Sequence, residues 1–204
     1  MKMKIKTKIT QSLITLALLL ITNMGHASLL DVGVHNFGIV TEGVYRGGIL
    51  SYQEDYQQLA QIGVKSIISL EYFHEENQDH CKEFALACKQ FPIFLLPGGS
   101  VTTSKNLQML KDAFHLLISN YKKGVPTYVH CYKGGDRTGA LVSLFMIHSK
   151  ACRDGGPSEQ YNPSEIENEI TQTLDRFQFD HFLFPRVHKE IMDWVQNPPS
   201  WLCD

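Results

Sequence analysis

The sequence predicts an α/β domain with a largely parallel central sheet flanked by helices. Three observations carry that expectation. Short β-branched runs alternate along the chain with segments of helical periodicity. The segment from Ala140 to Ile147 is apolar almost all round, as a helix buried in the middle of a domain must be. A bend containing Gly134 and Gly135 joins that helix to the apolar run before it.

Taken in order, "GVYRGGIL" (residues 43–50) is a short strand and turn. Ser51 and Glu54 have capping-box spacing for a helix through Gln61, which Gly63 closes. "VKSIISL" (64–70) is the second strand. A helix from about Asp79 to Lys89 leads to the strand "FPIFLL" (91–96). After the polar loop "PGGSVTTSK", Leu107, Leu110, Phe114, Leu117 and Tyr121 recur at steps of three and four. They mark an amphipathic helix ended by Lys122, Lys123 and Gly124. "VPTYVH" (125–130) is the next strand, and the buried helix follows it. Ser164 with Glu167 makes another capping box, and Pro185 sits in the first turn of a last helix to Val195.

The amino terminus reads as an export signal. Lys2, Lys4, Lys6 and Lys8 precede an uncharged stretch, Leu13 to Ile21, and Gly25 and Ala27 are small residues placed for cleavage. That apolar core is shorter than the roughly 18 residues needed to span a bilayer. The expected organisation is therefore a signal peptide over residues 1–27 and one domain over 28–204, with no membrane anchor after signal removal and a periplasmic, secreted or host-delivered destination. Without those four lysines, 15 basic residues face 21 acidic ones, a net charge of −6, which gives no support for nucleic-acid binding.

Five cysteines, at positions 81, 88, 131, 152 and 203, are an odd number for an exported chain and leave at least one thiol unpaired or bridged to another molecule. With Cys131 set aside as reactive, the pairing of Cys81, Cys88, Cys152 and Cys203 stays open. On a regular helix Cys81 and Cys88 would stand about 10.5 Å apart along the axis, too far for a disulfide; all four could equally be small buried apolar residues. The nine histidines have no metal-ligand spacing and no C-x2-C pair is present, so no metal or other cofactor is expected.

The chemistry concentrates on the bend. In a parallel sheet, a loop from a strand's carboxyl end to a helix amino end gathers unpaired N–H groups and the positive end of the helix dipole at one spot. Gly134 and Gly135 remove the Cβ atoms that would stop the backbone curling round an anion. Cys131 opens the loop, where the same field favours the thiolate, the nucleophilic form. Arg137, six residues on, carries a planar fork able to grip two oxygens at once.

Cys131 with Arg137 in "HCYKGGDRTG" resembles the phosphate-binding signature H-C-x5-R-[ST] of the cysteine-based protein tyrosine and dual-specificity phosphatases. The segment from Asn36 to Glu71 is similar to the entry segment of the compact atypical members, so the likeness spans about residues 36–150. It implies a protein tyrosine phosphatase-like fold and hydrolysis of phosphate monoesters with no metal. By that resemblance Cys131 attacks phosphorus to give a phosphocysteine, and Arg137 holds the phosphate oxygens together with the loop residues Tyr132, Lys133, Gly134, Gly135 and Asp136. Thr138 would stabilise the thiolate as it leaves, and His130 would hydrogen-bond around the loop. Arg46 in "VYRGG" matches a family arginine with a packing or loop-supporting role.

One departure stands out. Family members place a general acid about 30 residues before the cysteine, yet no Asp or Glu occurs from position 84 to 111. "GGDRTG" is similar to the loops of myotubularins and certain secreted bacterial phosphatases, in which the aspartate before the arginine is assigned the proton-donor role. Asp136 is therefore the expected general acid, although neighbouring Arg137 should hold it ionised. The expected substrate is a phosphorylated protein, with phosphoinositides or inositol phosphates as the alternative, for which Lys133 could meet further phosphates. A rhodanese-like sulfurtransferase and a non-catalytic phosphate-binding module are the competing readings. In an oxidising compartment a reactive Cys131 would need a neighbour such as Cys88 or Cys152 to protect it reversibly.

Overall fold

The computed structural model describes residues 32–153 and 156–204. The expected signal peptide, residues 1–27, lies outside the described residues. Among the described residues no helix is long and apolar enough to cross a membrane.

Five strands form one sheet: β1 (Gly38–Thr41), β2 (Val44–Gly47), β3 (Ser66–Ser69), β4 (Ala87–Gln90) and β5 (Thr127–His130), in the order β1-β2-β5-β3-β4. Only β1 runs antiparallel to its neighbour, so the largely parallel α/β fold read from the sequence is the one adopted. The helices are α1 (Gln53–Gln61), α2 (Gln78–Glu83), α3 (Ser104–Lys122), α4 (Asp136–Ala151), α5 (Pro163–Arg176) and α6 (Pro185–Gln196). A short antiparallel pair, β6 (Cys152–Arg153) with β7 (Gly156–Pro157), follows α4, and a 3₁₀ turn spans Ser200–Cys203.

Successive strand residues point to opposite faces of the sheet and so feed two cores. Ile67 and Tyr128 join Leu59, Val64 and Cys81 on the side of α1 and α2. Ile68 and Val129 join Leu141, Leu144 and Ile170 on the side of α3 to α6. Between those helices α4 is buried round its whole circumference, which is why its sequence carries no polar face.

The carboxyl ends of the parallel strands align. Gly47 and Ser69 both pair with His130, and Ser69 pairs with Gln90, so Gly48, Leu70, Phe91 and Cys131 all leave the sheet along one edge. This edge positions the site.

Four local expectations shift. The predicted helix over 79–89 ends at Glu83; Ala85 then adopts a left-handed φ of 53° and the chain turns into β4. Cys81 and Cys88 therefore lie on a helix and a strand, 6.1 Å apart at Cα, and form a disulfide. A second disulfide joins Cys152 to Cys203. The strand predicted at 91–96 lies instead at 87–90, because Pro92 has no N–H to continue the ladder. The capping box at Ser51 moves by one residue: Tyr52 is the N-cap, and Asp55 accepts the N–H groups of Ser51 and Tyr52 at 2.8 and 2.9 Å. For α5 the cap is Asn162, whose side chain accepts the Ser164 N–H at 3.2 Å, with Pro163 at the first helical position. The antiparallel β1 lacked a clear sequence signal.

The loop between β4 and α3 is tied down at both ends. Asn106 donates to the carbonyls of Phe94 and Ser100, each at 2.8 Å, and accepts the Phe94 N–H. Glu190 on α6 accepts the hydroxyls of Ser100 and Thr102 and the Val101 N–H.

Candidate active site

Cys131 follows the last residue of β5, is 2 % exposed, and is the one free thiol among the described cysteines. Residues 132–135 form a series of bends and Asp136 begins α4, so the expected strand–loop–helix junction is present. Among the described residues, the N–H groups of Tyr132, Lys133, Gly134 and Gly135 donate to no backbone carbonyl. Those amides remain available to an anion.

The loop is held from behind. Arg46 on β2 is wholly buried, and its Nη2 donates to the carbonyl of Gly134 at 2.5 Å, with Gly135 further off at 3.5 Å. Its guanidinium lies 4.3 Å from the centre of the Phe177 ring. Burial drops its pKa to about 10, although Cys131, Tyr128 and Asp136 nearby favour its charge. The loop-supporting role expected of Arg46 is thus what the geometry provides. Asn36 donates to the carbonyl of Lys133 at 3.1 Å, and Ile49 N–H donates to that of Tyr132. Gly134 has a φ of 77°, and a Cβ there would run into the Gly47 carbonyl, so only glycine fits.

Arg137 is drawn toward β3. Its Nη2 donates to Glu71 Oε2 at 2.8 Å, and Nη1 reaches the carbonyls of Ile93 at 3.2 Å and Leu70 at 3.4 Å. A guanidinium has five N–H donors. These bonds account for three and leave the rest, including that of Nε, for a ligand. Glu71 is itself fixed, its Oε1 accepting the N–H groups of Tyr72 and Phe73 at 2.9 and 3.0 Å.

Asp136 is 7 % exposed, and its Oδ1 accepts the Asp180 N–H at 2.9 Å. Burial raises its pKa, the Asp180 N–H works against the rise, the Asp180 carboxylate adds to it, and Lys133 opposes it. The expected depression by Arg137 does not prevail: the net shift is upward, and the Arg137 guanidinium is paired with Glu71. A carboxyl group whose pKa is raised keeps its proton to higher pH than an ordinary carboxylate, as a proton donor requires.

The other expected residues divide. Tyr132 is 62 % exposed on the rim, and Lys133 is also exposed. Thr138 is wholly buried, and its hydroxyl has no hydrogen-bond partner among the described residues. His130 does not bond around the loop. Its ring stacks on Tyr128, and its Nε2 lies 2.8 Å from Glu76 Oε1. Burial alone would raise the Glu76 pKa, but His130 and the Tyr56 hydroxyl, which donates to Glu76 Oε2 at 2.8 Å, lower it overall. Neither Cys88 nor Cys152 can shield Cys131, since each is spent in a disulfide. Among the described residues no cluster of three His, Cys, Asp or Glu side chains could hold a metal ion.

Glu71, Glu76, Asn36 and Asp180 escaped the sequence reading. Their distant partners lie 44 to 141 residues away, beside nearer ones: Tyr56 for Glu76, Leu183 for Asp180 and the local N–H groups that Glu71 accepts. The only local hint was an acid, Glu71, directly after an apolar strand.

An exposed aromatic cluster flanks the Glu71 side. Tyr72, Phe73 and Phe94 pack edge to face at centroid distances of 5.0 to 6.0 Å.

A protein-family model described as "Polymorphic toxin system, DSP-PTPase phosphatase" matches residues 42–151. The chain is 26 % identical over 151 residues to the inositol diphosphatase DSP2 of Arabidopsis thaliana; the match covers 57 % of this chain and only 58 % of that relative's length. The fold matches the core catalytic domain of the PP-IP phosphatase Siw14 from S. cerevisiae with a TM-score of 0.53, at 18 % identity over 81 % of this chain and 86 % of the other. TpbA of P. aeruginosa aligns with a TM-score of 0.56, at 14 % identity over 82 % and 91 %.

Proposed function

Because the chain belongs to the polymorphic toxin system DSP-PTPase phosphatase family, within the atypical dual-specificity cysteine phosphatases, we propose that it hydrolyses phosphate monoesters through a phosphocysteine on Cys131. The carrying observation is the free thiol of Cys131 at the head of a loop whose amides are uncommitted and whose arginine is fixed by Glu71.

In the first step the Cys131 thiolate attacks phosphorus, the phosphorus–oxygen bond of the ester breaks, and Asp136 gives its proton to the departing oxygen. Arg137 and the loop amides meet the equatorial oxygens, where charge accumulates. In the second step a water attacks phosphorus, its proton passes to Asp136, and the sulfur–phosphorus bond breaks to release phosphate. The buried Thr138 hydroxyl, unpartnered among the described residues and in the first turn of α4, supports this step.

The substrate we favour is a phosphorylated protein, tyrosine-phosphorylated or dual. The aromatic cluster of Tyr72, Phe73 and Phe94 supports it, since a rim for a polyanionic ring would be expected to carry cations. A second reading, an inositol phosphate or phosphoinositide, draws on the name of the Arabidopsis relative and on the exposed Lys133. Two disulfides support work in an oxidising compartment, in keeping with an export signal.

The test is hydrolysis of an aryl phosphate by the wild type and Cys131→Ser, followed by matched kinetics on phosphopeptides and inositol polyphosphates. Phosphate binding without turnover in the wild type would sink the enzymatic reading. Preference for inositol polyphosphates would replace the first substrate class by the second.

A further inference from the structure

Between α5 and α6 the chain passes as a strap, Phe177 to Phe184, against the start of α4. Asn36 donates to the carbonyl of Phe177 at 2.8 Å, and the carbonyl of Leu183 accepts the Gly98 N–H at 2.7 Å. Gln178 takes a left-handed φ of 57°, costly for a residue with a Cβ, and any Cβ on Gly135 would come within 2.7 Å of its carbonyl oxygen. The strap thus presses on the loop at Gly135 and delivers the N–H of Asp180 to Asp136.

We propose that Asp180 is the positioning residue for the proton donor: its main-chain N–H fixes which Asp136 oxygen carries the proton, and its carboxylate keeps that proton in place. The inference rests on Asp136 being the general acid. In a neutral carboxyl group one oxygen accepts and the other is a hydroxyl. Oδ1 accepts the Asp180 N–H, so Oδ2 bears the proton and must face the leaving group.

The same N–H that fixes the geometry also favours the ionised acid, which would disarm the donor. The Asp180 carboxylate supplies the opposing charge. Its orientation is fixed by accepting the Leu183 N–H at 2.8 Å, while the main-chain N–H of the same residue lies 2.9 Å from Asp136. The charged groups facing Asp136 are Lys133 from the loop, Arg46 from β2 and Asp180 from the strap. Lys133 and Arg46 favour ionisation, so Asp180 is the side chain among them that resists it.

Asp180→Asn separates these roles, because asparagine keeps both the main-chain N–H and the acceptor for Leu183 and loses only the charge. In the kcat–pH profile for an alkyl phosphate, the descending limb is expected to move down by about half a unit or more, with kcat at pH 7 falling roughly 3- to 10-fold. An aryl phosphate with a good leaving group should change far less. A ¹³C titration of the Asp136 carboxyl should show the same downward move without turnover. Asp180→Ser, which also offers an acceptor to Leu183, serves if the asparagine variant does not fold. Asp136→Asn runs in parallel: if it leaves alkyl phosphate hydrolysis intact, the proton-donor reading itself fails. If Asp136→Asn slows that reaction while the limb and the titration stay in place in the Asp180 variants, the positioning role alone is overturned.

Discussion

Glu71 Oε2 and Arg137 Nη2 lie 2.8 Å apart, with the glutamate 3 % and the arginine 12 % exposed at their side chains. A charge pair this well shielded fixes a guanidinium rather than merely attracting it. Glu71→Gln, which keeps an acceptor but loses the charge, should therefore raise KM for phosphate esters about 10-fold and weaken inhibition by inorganic phosphate in proportion. Arg137→Lys should cost about 100-fold or more in kcat/KM, since an ammonium cannot reproduce the fork. Equal losses from conservative and drastic changes at Glu71 would argue for a purely structural pair.

Gly134→Ala meets both a left-handed backbone and the Gly47 carbonyl, and neither can yield as a flexible side chain would. The expected loss is about 2 kcal/mol or more, a fall in Tm of about 5 °C. Phosphate binding should fall with it, because the loop must move away from β2. Thermal melts with and without phosphate check both effects.

The two perturbed buried carboxyls act on stability in opposite pH directions. Asp136, with a raised pKa, contributes stability below the ordinary carboxylate range that is lost as pH rises through its folded value. Asp136→Asn should therefore gain stability relative to the wild type as pH goes from 4 to 8. Glu76, with a lowered pKa, contributes stability above that range that is lost as pH falls. Glu76→Gln should cost about 1–3 kcal/mol at pH 7 and much less in strong acid. Urea titrations across pH would reveal crossing trends, and parallel ones would refute the assignment.

The disulfides differ in what they close. Cys152 and Cys203 are separated by 51 residues, Cys81 and Cys88 by 7. On chain entropy alone the longer loop is worth about 4 kcal/mol and the shorter about 2 kcal/mol. A Cys152→Ser/Cys203→Ser variant should melt well below a Cys81→Ser/Cys88→Ser variant, and both should keep the thiol of Cys131 titratable by a maleimide when unfolded.

The site was legible where its parts are consecutive. Cys131, Gly134, Asp136 and Arg137 sit in one loop, and the apolar helix behind them announces where that loop must be. Of the supports, Arg46 was legible only through the family resemblance, and Glu71, Asp180 and Asn36 were not, because they reach the loop from three separate segments. Elements with strong periodicity, such as α3, fell where expected. The edge strand β4 did not, since "ACKQ" is too polar to signal a strand and "FPIFLL" is apolar for reasons of local packing. The disulfide of Cys81 was hidden by the same error, an overlong helix that set its partner out of reach.

Asn106 and Glu190 together staple the loop between β4 and α3, where the family resemblance would have put the acid. On the proposed assignment of the proton donor to Asp136, nothing on that side has to swing shut before chemistry. Turnover should then be indifferent to solvent viscosity in glycerol or sucrose. Selection among substrates would fall on girth at a rigid aperture, not on the power to trigger closure.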